Sequence, residues 1–294
     1  MTVFTTMSLR LPFTTVLPMQ EPWTLPLLLL GAITAALLAG AGLLHLLPRL
    51  GQGGQRLSDS CCRAPLLDVI VAYFTVVPLI VGPVVAGWLG LVSGILAQLA
   101  ILLIWQTLHE LAHRDAVKGP RIIKVLNKKF GACRNLTAVY VTALAVPIFA
   151  IVRLGELIIY PPLVWLVRLP PYKASEWVNV SRQKFSGLVG HDLIWCLYCD
   201  WMTGVWSLGT EILRNVESFW CPIRFSCDKK CENCSIDFPD VKNGWVPATG
   251  SMKDVVETLD RMYPSPEKSQ LWFGHPLRKA DSANPKESLH SDSK

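Results

Sequence analysis

Residues 66–113 read LLDVIVAYFTVVPLIVGPVVAGWLGLVSGILAQLAILLIWQTLHELAH. Apart from Asp68 the stretch carries no acidic or basic charge before Glu110, and Gly82-Pro83, Gly87 and Gly90 interrupt it near its centre. A helix needs about 20 apolar residues to cross a hydrocarbon core of roughly 30 Å. Two such lengths are present, so the stretch predicts two spans, 66–86 and 88–108, packed antiparallel across a tight turn.

Upstream, Leu25 to Leu47 is uncharged and long enough to cross once more. A cleaved signal peptide would have a basic leader and a shorter apolar run, whereas residues 1–22 carry only Arg10 among basic groups, so the run reads as an anchor. The whole composition agrees: 51% of the 294 residues are apolar, 17% are charged, and the mean hydropathy is +0.36. Such a chain is read as a polytopic α-helical integral membrane protein, with the lipid bilayer as its first partner.

Charge placement orients the spans. Residues 1–169 hold 13 basic and 6 acidic groups, and residues 170–294 hold 15 and 16, so all the excess charge belongs to the membrane half. That distribution follows the positive-inside rule and sets nucleic-acid binding aside. Arg49, Arg56 and Arg63 precede the second span, and Arg114, Lys118, Arg121, Lys124, Lys128, Lys129 and Arg134 follow the third. Both loops are therefore placed on the cytosolic (or stromal) side, with the N-terminus opposite.

The apolar stretch 136–168 is longer than one span and contains Pro147, Arg153, Glu156 and Pro161-Pro162. It reads either as one tilted span that exports the C-terminal domain or as a broken, re-entrant hairpin turning near Arg153 and Glu156. The hairpin is the expectation, because basic residues come directly after it and the cysteines beyond suit a reducing compartment. The chain then divides into an N-terminal segment 1–24, a transmembrane domain 25–169, a Cys- and Trp-rich membrane-associated module 170–263 expected on the cytosolic side, and a disordered tail 264–294. Five tryptophans between Trp177 and Trp220 suit a helix in the bilayer interface. Ser251 with Asp254 predicts a capped amphipathic helix whose apolar face is Val255, Val256, Leu259, Met262 and Tyr263.

Two constellations carry chemistry. His109-Glu-Leu-Ala-His113 places two imidazoles at i and i+4 on one helix face, with Glu110 beside them. This HExxH pattern resembles the signature of zincin metallopeptidases. The resemblance covers five residues and implies zinc held by His109 and His113, with Glu110 as the catalytic general base. A third ligand is then needed: His191 is the first candidate, with Glu211, Glu156 and Asp192 behind it. The plainer reading makes the motif a helix end in the headgroup zone, with Glu110 pairing to Arg114. A di-iron carboxylate site would need a second Glu-x-x-His, and none other than His113's occurs in residues 1–263.

The second constellation is Cys196-Leu-Tyr-Cys199, Cys221, Cys227 and Cys231-Glu-Asn-Cys234, six cysteines within 39 residues. Two C-x-x-C pairs point to metal, either structural zinc or an iron–sulfur cluster, with disulfides or apolar packing as the alternatives. Asp192, Cys196, Cys199, Asp200 and Thr203 form one polar stripe at helical spacing. Cys227, Cys231 and Cys234 also have a radical-SAM spacing, but the 60 residues after Cys234 cannot build the barrel. Cys61, Cys62 and Cys133 beside the spans receive no role, three Asn-x-Ser/Thr matches would stay bare on a cytosolic face, and His45 reads as an interfacial residue at the end of the first span.

The leading expectation is a membrane zinc metallopeptidase acting at the cytosolic surface on a membrane protein or peptide client. The rival is a non-hydrolytic redox or assembly factor with an iron–sulfur cluster on Cys196, Cys199, Cys231 and Cys234, and a third reading is a scaffold with a structural zinc knuckle.

Overall fold

A computed structural model describes residues 23–226, 229–230, 232, 236 and 241–263. It is mainly helical, and no strand occurs among the described residues, only isolated bridges of Arg63 with Asn179 and Ile223 with Val246. Three helical stretches are long and apolar enough to cross a membrane: Thr24–Arg49, Leu66–Ala112 and Ala132–Val167.

Helix α1 spans Thr24–Leu46, α2 spans Gly51–Cys61 and α3 spans Leu66–Ala112. α3 is two helices in one, because Ala86 (φ −135°, ψ 26°) and Gly87 (φ 58°, ψ −143°) leave helical geometry and reverse the chain. Only glycine takes the Gly87 conformation without a Cβ penalty. The two arms then pack in antiparallel register. Gly82 faces Gly90, a Cβ added at Gly94 would sit 2.5 Å from Pro78 O, and Gln98 Nε2 donates to Phe74 O and Thr75 O. Missing side chains at the glycines let the backbones touch, the usual source of helix association where water supplies no hydrophobic drive.

α1 lies against the second arm and parallel to it. Ser93 Oγ donates to Pro26 O, Ile33 and Leu37 pack on Ala97 and Ile101, and Trp105 Nε1 donates to His45 Nε2. Contact positions therefore rise together along the two helices. Loops before and after α3 meet at the open end of the hairpin, its base.

Beyond the base come α4 (Arg114–Lys118), α5 (Ile122–Phe130), α6 (Ala132–Thr142), α7 (Val146–Ile158) and α8 (Tyr160–Val167). The expected turn at Arg153 and Glu156 does not form. α7 is helical through both residues, and a 3₁₀ turn at Ala143–Ala145 links it to α6. The charges cause no break because Arg153 pairs both with Glu156, one turn on, and with Asp68. The run ends at Arg168, which is left-handed (φ 58°).

α9 (Ala174–Trp177) precedes a strand-like crossing in which Ala64 N donates to Val178 O and Val180 N to Cys62 O. α10 spans Gly190–Trp220 without a break. The largest core joins Ala64 and Leu67 at the hairpin base to Val178, Trp201, Val205 and Leu208, with Phe149 and Val152 from α7 packed on it. A final helix, Met252–Met262, has the Ser251–Asp254 capping box. It buries Val255 and Thr258 and leaves Val256 exposed, so its apolar face is narrower than the sequence pattern suggests. Cys227, Cys231, Cys234 and the tail 264–294 lie outside the described residues.

Candidate functional site at the hairpin base

The end of α3, the start of α5 and the start of α10 converge on one guanidinium. Arg121 Nε donates to Asp192 Oδ2 at 2.8 Å, and its terminal nitrogen donates to Glu110 Oε1 at 2.8 Å and to Val189 O at 3.2 Å. The Arg121 and Asp192 side chains are 3% and 4% exposed, and Glu110 is 33% exposed. α5 has no side-chain cap of its own, so Asp192 reaches across to accept from Ile122 N and Ile123 N, both at 3.1 Å. It thereby satisfies two of the orphan N–H groups at that helix start. Burial works against the Asp192 carboxylate. His191, whose Nδ1 lies 3.5 Å from Oδ1, together with Arg121 and the Ile123 backbone N–H, more than offsets that burial and holds Asp192 down at about 2.

The HExxH residues sit at this base. His109 is in the last turn of α3, and His113, the C-cap (φ −121°, ψ 47°), has already left helical geometry. Their rings stack with centroids 4.3 Å apart, and His45 from α1 approaches His109 at 5.8 Å. Three imidazoles therefore gather, with Trp105 against His109 at 4.8 Å.

Hydrogen bonds fix which nitrogens hold lone pairs. Gly190 N donates to His109 Nδ1 at 3.2 Å, so the neutral ring carries its proton on Nε2. Trp105 donates to His45 Nε2, leaving the His45 proton on Nδ1. His113 Nδ1 lies 2.9 Å from His109 O, a pure acceptor, so His113 alone has a free Nε2 lone pair. Among the described residues no three His, Cys, Asp or Glu side chains are arranged to hold a metal ion. Zinc on the His109–His113 pair would require His109 to surrender the Gly190 N–H, and with Oε1 held by Arg121, Glu110 could act on a water only through Oε2.

The candidate third ligands are placed elsewhere. His191 gives its backbone N–H to Glu110 Oε1 at 3.3 Å, while its ring packs on Trp195 at 6.2 Å with both nitrogens buried and Nδ1 3.5 Å from Asp192 Oδ1. Asp192 is held by Arg121, and Glu156 accepts from Arg153 at 2.7 Å. Glu211 accepts from the Tyr172 hydroxyl at 3.0 Å, twenty residues along α10 from His191, which is about 30 Å of helix.

The cysteines fall into two groups for the same reason. Cys199 and Cys221 are separated by about 33 Å along unbroken α10, so Cys196 and Cys199 do not share a centre with Cys221. The polar stripe of α10 meets protein groups: Asp200 accepts from Ser181 N at 2.7 Å and from Arg182 N at 3.2 Å, and Arg182 lies beside Cys199. Burial pushes the Cys196 thiol up, with Arg182 pulling the other way. Cys221 is exposed at the end of α10.

A second guanidinium closes the base on its other side. Arg153 grips both oxygens of Asp68, at 3.0 and 2.8 Å, and Glu156 at 2.7 Å, with all three side chains largely buried. Sequence reasoning took Arg121 for a topology charge and His45 for an interfacial residue, and it gave Asp68 no role. One available signal was that a carboxylate two residues inside an apolar run needs a cation, and Arg153 is the cation of another apolar run. Compared with known protein families, with curated proteins and with solved structures, the chain matches none.

Proposed function

We propose that the protein is a non-hydrolytic, membrane-anchored scaffold with a metal-binding C-terminal cysteine module for a membrane protein or peptide client. The metal would be zinc, or alternatively an iron–sulfur cluster, held by Cys221, Cys227, Cys231 and Cys234. These four are close in sequence and come at or after the end of α10, whereas Cys196 and Cys199 lie far back along it. The observation that carries the non-hydrolytic reading is that Glu110, the general base a peptidase would need, is the ion-pair partner of buried Arg121. Glu110 then works as a clamp holding α5 and α10 to the end of α3.

A second reading keeps a catalytic zinc at the base. It is favoured by the gathering of His45, His109 and His113, with His45 in place of His191 as third ligand. The two readings part on metal content and absorption of protein purified anaerobically in detergent. The scaffold reading expects metal that is lost in Cys231→Ser/Cys234→Ser and kept in His109→Ala/His113→Ala, colourless for zinc and brown for a cluster. Loss of one zinc in the histidine variant, with peptide hydrolysis abolished by Glu110→Gln, would overturn it in favour of the second.

A further inference from the structure

Ala132–Val167 is long and apolar enough to be a span, yet its contacts hold it to one level of the hairpin. The antiparallel pairing of α3 sets that level: Gly82 faces Gly90 and Pro78 faces Gly94, so Glu110 stands level with about residue 62, and Asp68 lies about 9 Å further into the hairpin. The start of α6 is held within about 8 Å of the Glu110 level, because Asn135 Nδ2 donates to Asn127 Oδ1, five residues along α5 from Ile122, whose N–H Asp192 caps beside Arg121 and Glu110. Arg153, about 27 Å of helix beyond Asn135, meets Asp68 in the first turn of α3. A helix whose two contact points differ by so little in level lies steeply across the hairpin axis.

α10 repeats the pattern. Asp192 is at the Glu110 level, and Trp201, Val205 and Leu208 pack on Ala64 and Leu67. α10 runs side by side with α6 and α7: Tyr198 OH donates to Thr142 O, Trp206 meets Phe149, and Gly209 meets Glu156.

We infer that α6–α8 and α10 form a platform lying in the plane of the membrane at the hairpin base, and that its partner is the lipid interface of the membrane the hairpin crosses. The exposed face of α6–α8 is built for that partner. Leu144, Ile148, Ile151, Ile158 and Trp165 recur at helical spacing and are 59–79% exposed, while the opposite face turns Arg153 and Glu156 inward. Apolar side chains outward and ion pairs inward is the arrangement of a helix against hydrocarbon, not water. Continuity with α1 and α3, which expose leucines and valines in the same way, makes a bilayer the occupant. Exposed Lys124, Lys128, Lys129, Arg134 and Lys173 then meet anionic headgroups. The chain thus crosses three times, and the loops at 47–65 and 113–131 share one side with residues 241–263.

Depth measurement tests this on the full chain in vesicles. A fluorescent unnatural amino acid is placed in turn at Leu144, Ile151, Ile158 and Trp165, all exposed positions, and quenched by lipids brominated at two chain depths. The platform predicts equal depth at the four sites, within about 5 Å and about 5–10 Å into the interface. A steady change of about 31 Å from position 144 to position 165 would overturn it, since that is the ramp of a crossing helix. Protease protection of epitopes in α2 and at the C-terminus is the second readout. Both on one side supports the platform, and opposite sides refutes it.

Discussion

Replacing Arg121 with Met removes the guanidinium that bridges Glu110 and Asp192, while keeping much of the side-chain volume. Glu110 is one-third exposed and finds water, so its loss is small. Asp192 is 4% exposed and does not. Breaking a buried pair by removing one partner costs about 3–5 kcal/mol. Neutralisation caps that cost: protonating a carboxyl whose ordinary value is 3.8 takes about 4 kcal/mol at pH 7. The expected loss is therefore about 3–4 kcal/mol, or roughly 10 °C in Tm for a protein of this size. Thermal unfolding in detergent, with hydrogen exchange across α5 and the start of α10, reads it directly. Arg121→Met/Asp192→Asn should recover at least half of the loss, because the uncompensated charge is gone and the amide oxygen still accepts from one of the two backbone N–H groups, Ile122 N or Ile123 N. Glu110→Gln should cost about 1 kcal/mol or less. An Arg121→Met protein melting within about 2 °C of wild type, or a double variant no better than the single, would refute the clamp.

Asp192 also predicts an acid limit. Its folded value of about 2 lies below the ordinary 3.8, so its stabilisation is complete above about pH 4 and is lost as pH falls through about 2. It amounts to about 2 kcal/mol at neutral pH, and the urea-midpoint gap between wild type and Asp192→Asn should close between pH 4 and pH 2. In the hairpin, Gly90→Leu forces a side chain into the Gly82 carbonyl and should cost at least about 1–3 kcal/mol. Gly42→Ala on α1, where a Cβ meets nothing within 4 Å, should be neutral or gain up to about 1 kcal/mol. Equal Tm shifts for the two glycine variants would remove the case for close arm packing.

Local chemistry is legible where neighbours in sequence decide it. The runs at 25–47 and 66–108 are helices because in hydrocarbon a helix satisfies its backbone within one segment, and Gly87 breaks the second run because its combination of φ 58° and ψ −143° suits glycine. The Ser251–Asp254 cap is equally local. Glu110 shows the limit of such reading. The HExxH spacing suggests a general base, yet the carboxylate turns to Arg121, eleven residues on, which sequence spacing does not single out.

The sequence by itself determined the helical class, the apolar runs able to cross a bilayer, and the residue types available for metal chemistry. Those properties depend on composition and on periodicity within one helix. The tertiary structure alone decided the partners: Asp68 with Arg153, 85 residues apart, Asp192 with Arg121, 71 apart, and His45 beside His109. It also decided that Arg153 and Glu156 do not break α7 and that α10 separates Cys199 from Cys221. The physical reason is that a charge among apolar residues is stable only with a counter-charge, and any of several carboxylates can provide one. Which carboxylate does so depends on where the chain brings the helices together.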